Sequence, residues 1–131
     1  VSDAVLALTN TDPRFYPTLG PFLSRREVVR HVGDTIWDDD AKTWLVALDA
    51  DTVTGFIAVA ARGRLSVESL YTVPGHENTA PELVNAAVAR FGERALHAVV
   101  RHEHAPPYQQ AGFRPVGKTR NFTKLTRDAP S

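Results

Sequence analysis

The chain has 131 residues, 43% of them apolar and 23% charged, with 15 Lys plus Arg balancing 15 Asp plus Glu. That length and composition suit one soluble globular domain over residues 1–131, and the balanced charge gives no bulk attraction to nucleic acid or to a membrane surface. The absence of cysteine excludes disulfides, thiolate metal sites and a cysteine nucleophile. No apolar run approaches the roughly 20 residues of a spanning helix, and no charged-then-apolar leader opens the chain. A cytoplasmic protein is the expectation, with Val1 in place of Met pointing to a processed, trimmed or non-standard start.

Val5-Leu6-Ala7-Leu8 predicts a short edge strand, broken by the turn chemistry of Asn10-Thr11-Asp12-Pro13. From Arg14 to Gly33 the spacing is helical but interrupted by Pro17, Gly20 and Pro21. Ser24-Arg25-Arg26-Glu27 reads as a capping box, opening a helix with Val28, Val29 and Val32 on one side and Gly33 at its end. Phe15, Tyr16 and Phe22 are the side chains expected to pack these first helices on a sheet. Asp34 to Lys42 is read as a loop.

Trp44 to Leu48 predicts a strand, Asp49-Ala50-Asp51-Thr52 a turn, and Val53 to Ala61 the returning strand of a hairpin. Arg62-Gly63 turns the chain again. Leu65, Val67, Ser69 and Tyr71 then alternate with Ser66, Glu68, Leu70 and Thr72, apolar on parts of both faces and therefore central. Pro74-Gly75 stops this strand. Leu83, Ala87, Val88 and Phe91 recur at helical spacing within Pro81 to Arg94. Ala95 to Val100 reads as a buried strand, and Phe113 to Leu125 as two short final strands. Three antiparallel-looking strands, a helix and a strand able to return parallel to the third make an α+β (mixed α/β) domain: a central, mostly antiparallel sheet with helices on both faces.

This order, followed by Tyr108-Gln-Gln-Ala-Gly112-Phe113, resembles the GCN5-related N-acetyltransferase (GNAT) family, from about Trp44 to Leu125. The resemblance implies transfer of an acetyl group from acetyl-coenzyme A (acetyl-CoA) to a primary amine of a small molecule or peptide. It implies that Leu65–Val73 and Ala95–Val100 splay apart, with the pantetheine arm pairing as an extra strand against backbone groups of Leu70, Tyr71, Thr72 and Val73. It also implies that Tyr108 protonates the departing thiolate, since a phenol keeps its proton at neutral pH and can meet developing negative charge. Glu68 matches a position where the family often carries a base, with His102 and His104, read as sharing one strand face, as rivals.

The family's pyrophosphate loop opens a helix whose free N–H groups meet the phosphates. The matching positions here run Glu77, Asn78, Thr79, Ala80, Pro81 and Glu82, with Asn78, Thr79 and Ala80 as the residues left to touch the donor. An acid replaces the leading basic residue, the glycines are missing, and Pro81 removes a donor. Thr79 to Glu82 reads as a second capping box that satisfies its own helix start. A helix dipole returns about 0.3–1 kcal/mol to an anion, less than two nearby carboxylates cost.

Other readings stay open at this level. The same fold could serve as a non-catalytic binding or regulatory module, or as a transferase with an unusual donor that modifies nucleic acid. Arg114, Lys118, Arg120, Lys124 and Arg127, a stretch free of acids, could touch donor phosphates or a nucleic-acid backbone, or simply guard an edge strand. Asp38-Asp39-Asp40 after Trp37 could attract a cationic amine, though a solvated acidic turn explains it as well. His102 and His104 could ligate a metal only with His76, His97 or carboxylates lacking ligand spacing, so no metal is expected. Oligomeric state is not legible.

Overall fold

The computed structural model describes residues 4–23, 25, 28 and 41–130. The acidic turn at Trp37–Asp40 and, apart from Arg25 and Val28, the helix expected after Ser24 lie outside them. Seven strands are described: β1 (Ala4–Leu8), β2 (Lys42–Asp49), β3 (Thr52–Arg62), β4 (Arg64–Thr72), β5 (Leu96–Arg101), β6 (Arg114–Lys118) and β7 (Phe122–Arg127). They form one sheet in the order β1-β2-β3-β4-β5-β7-β6, antiparallel throughout except for β4 beside β5. Among the described residues, three helices with defined bounds pack on it: α1 (Phe15–Leu23), α2 (Thr79–Phe91) and α3 (Pro106–Gln110).

The alternation of β2 and β3 makes two cores. Leu45, Ala47, Ile57 and Val59 face Leu83, Val84 and Ala87 of α2 and Tyr108 of α3. Trp44, Val46, Phe56 and Ala58 face Phe15 and Leu19 of α1. Helices therefore cover both faces, as expected. Lys42 is not a loop residue but the first of β2, on the same face as Trp44 and only 2% exposed. No helix among the described residues is long and apolar enough to cross a membrane.

Two details depart from the sequence reading. Pro17 and Pro21 do not interrupt α1. Pro17 falls in the first turn, where its missing N–H has no partner to lose, and Pro21 removes a single bond from a helix anchored by fully buried Phe15 and Leu19. The simple alternation of β4 also fails. Phe56 pairs with Tyr71 but Ala58 pairs with Glu68, so Ser69 and Leu70 together oppose Ile57 in a β-bulge. Ser69 adopts φ +60°, and the extra residue sends Leu70 to the α2 side and Tyr71 to the α1 side.

Candidate active site

The bulge decides where β4 and β5 part. They pair over only three positions, Leu65 with Leu96, Ser66 with His97 and Val67 with Ala98. Beyond these, β4 runs on to Thr72 with its β5 edge unpaired, and Val99–Arg101 keeps only the β7 pairing that β5 makes along its whole other edge. A cleft of about 580 Å3 opens at this divergence. Its walls include Glu68, Ser69 and Leu70 from β4, Val99 and Val100 from β5, and His104 and Tyr108 beyond it.

Backbone groups along a strand alternate between its two neighbours. The N–H of Val73 donates to the Thr54 carbonyl at 2.9 Å, on the β3 side. Tyr71, two residues earlier and paired with Phe56, shares that direction. Leu70 and Thr72 are then the residues whose backbone groups face the gap, and Tyr71 and Val73 are not.

Tyr108 is placed by a helix ending. The N–H of Gly112, at φ +95°, donates to the Gln109 carbonyl, and that of Phe113 reaches back to Tyr108 at 3.0 Å. This is the Schellman pattern, which asks for a glycine at its left-handed position. It folds Phe113 against the phenol, ring centroids 5.4 Å apart and edge to face. The spacing Tyr-x-x-x-Gly-Phe is thus a short helix, its stop, and the contact that the stop creates. Arg127 secures the same end, donating to the Ala111 carbonyl at 3.2 Å and to that of Gly92, after α2, at 3.4 Å.

The phenol is wholly buried, and its hydroxyl has no hydrogen-bond partner among the described residues. Burial pushes its pKa well above the ordinary value, so it holds its proton across the working range. An unpaired buried hydroxyl costs about 1–3 kcal/mol, which a folded protein seldom tolerates without a use for it.

Glu68 lines the cleft as expected, but it is engaged. Its Oε1 meets Lys42 Nζ at 3.0 Å and Arg62 at 3.6 Å, compensating an ammonium that also lies 5.3 Å from the Trp44 ring centre. His102 and His104 do not share a strand face; they lie in a 3-10 turn after β5. His102 Nδ1 meets the Thr123 hydroxyl at 2.8 Å and its Nε2 donates to the Arg120 carbonyl at 3.0 Å, so both ring nitrogens are spent. His104 lines the cleft, half-buried, and burial is the main cause that lowers its pKa below the ordinary 6.5. A neutral imidazole there can accept a proton. Among the described residues no three His, Asp or Glu side chains gather as a metal site would require.

The second capping box does not form. Asn78 occupies the N-cap position of α2 without a side-chain bond, and Thr79 is already the first helical residue. Thr79 is instead buried, its N–H donating to His76. The basic C-terminal stretch also breaks up: Arg114 pairs with Asp128 at 3.1 Å and Arg127 is tied to helix ends, leaving Lys118, Arg120 and Lys124 on the surface.

No family model and no curated protein sequence matches the chain. Solved structures do match it. An acetyltransferase of the GNAT family from Streptococcus pneumoniae superposes with a TM-score of 0.74 at 14% identity, over 97% of this chain and 100% of that one. AAC(6')-Ib in complex with paromomycin and acetyl-CoA gives 0.69 at 15% identity, over 98% and 94%. Escherichia coli ElaA gives 0.68 at 9% identity, over 96% and 99%. The chain has the GNAT fold.

Proposed function

We propose that the protein is an N-acyltransferase moving an acetyl group from acetyl-CoA to a primary amine. The observation that carries the reading is the buried, unpartnered hydroxyl of Tyr108 beside a gap between β4 and β5. A thioester arm entering that gap can pair with the outward backbone groups of Leu70 and Thr72 as an added strand. When bound, it supplies an activated acyl carbon and a thiolate leaving group.

The chain's own residues handle the protons. The amine nitrogen bonds to the acyl carbon as the carbon–sulfur bond breaks, and the Tyr108 hydroxyl gives its proton to the sulfur. His104 takes the proton that the amine loses, through water, because it stays neutral in its buried position. Glu68 remains a carboxylate paired with Lys42 and Arg62 on the cleft wall.

Incubation with acetyl-CoA and a panel of primary amines, followed by release of free thiol, tests this reading. Thiol release with at least one amine, together with stabilisation that rises with donor concentration, is the expected result. No stabilisation and no thiol release at millimolar donor would leave a non-catalytic module on the same fold.

A further inference from the structure

A long thioester donor would meet very different surroundings along its length, and this bears on which part of it is recognised, provided the acyltransferase reading holds. We propose that the protein recognises the acylated pantetheine arm of its donor and takes no hold on the nucleotide pyrophosphate beyond it.

An anion at a helix start needs free N–H groups and no competing carboxylate. The loop between β4 and α2 has most of its N–H groups engaged and carboxylates beside the rest. The N–H of Gly75 donates to Glu77 Oε2 at 2.8 Å. That of His76 donates to the Val73 carbonyl, that of Thr79 to His76 and that of Ala80 to Glu77, at 2.9, 2.9 and 3.2 Å. Pro81 has no N–H. Only Glu77 and Asn78 keep theirs in this stretch, beside a carboxylate that already occupies a donor a phosphate oxygen would want. Glu82 adds a second acid in the first turn of α2.

The cleft itself points the same way. Its β4 wall runs from Arg64 to Leu70, and no residue of the Pro74–Glu82 loop lines it. Of the groups read as able to bind, Leu70 and Tyr108 line the cleft, and Thr72 continues β4 just past it. Recognition is built at the sulfur end and absent at the nucleotide end.

Calorimetric titration of the full chain with coenzyme A, pantetheine and adenosine 3′,5′-bisphosphate, at low and high salt, tests the proposal. Coenzyme A and pantetheine are expected to bind within about threefold of each other, with little dependence on salt, and the bisphosphate is expected not to compete. Coenzyme A binding more than about tenfold tighter than pantetheine, with the advantage lost at high salt, would overturn the proposal and leave the acyltransferase reading standing. Failure of both coenzyme A and pantetheine to bind at millimolar concentration would overturn the two together.

Discussion

At the α3 end of the β4–β5 gap a hydroxyl is buried with no partner, whereas at the α2 end four backbone donors close on the loop's own acceptors. The first arrangement carries a folding cost that a ligand could relieve; the second has already relieved its own. An unsatisfied buried group asks for an explanation, and Tyr108, unlike the equally unpartnered Trp44 Nε1 and Arg101 Nε, lines the cleft. A helix start that satisfies itself has little left to give. On the proposed reading, one fold keeps a reaction centre while losing a subsite, because the two are held by different elements.

The sharpest way to break this comparison is Tyr108→Phe. Removal of the hydroxyl is expected to lower acyl transfer by about 10²–10³-fold. The thermal midpoint should hold or rise, since the group lost had no partner. A fall in both would mark the phenol as structural. Next in size, Glu68→Gln is expected to cost about 1–3 kcal/mol in denaturant midpoint, because it weakens the compensation of buried Lys42. The double variant Glu68→Gln with Lys42→Met should recover most of that. Gly112→Ala should cost about 1–2 kcal/mol through its left-handed φ. It should also loosen the Phe113 contact, visible as altered near-ultraviolet circular dichroism.

The smallest effect concerns pH. Burial lowers the pKa of His104 in the folded state below its ordinary 6.5. The unfolded chain therefore binds the proton first, and stability attributable to this residue is full above 6.5 and declines as pH falls through the folded value. His104→Gln should flatten that decline, read as midpoint against pH. It should also remove the acidic limb of the pH–rate profile, an effect that mere packing would not produce.

Much of the fold was legible because strand alternation, turn residues and the helical spacing of α2 all agreed. Leu45 to Ala47, Ile57 and Val59 declared a sheet, and Gly63 and Gly75, both at positive φ, declared its turns. The register of β4 was not legible. The bulge at Ser69 puts a non-glycine residue at φ +60°, which no local propensity foretells. Tyr108 is singled out in the sequence by its spacing to Gly112 and Phe113, and the reason for that spacing, a helix stop folding one ring onto another, is legible only in the hydrogen bonds. Lys42 was missed as a cleft residue. Its alternation with Trp44 and Val46 was the available signal, but a lysine beside three aspartates reads as loop. His102 and His104 could not be told apart in sequence, because Thr123 and Arg120, which occupy His102, arrive from β7 and the turn before it.

The most direct test is a crystal structure of the protein soaked with coenzyme A. Sulfur lying in hydrogen-bond contact with the Tyr108 hydroxyl, between Leu70 and Val99, is the outcome this account requires. Density for the thiol elsewhere, or a Tyr108 hydroxyl bonded to a protein group with β4 and β5 closed along their length, would contradict it.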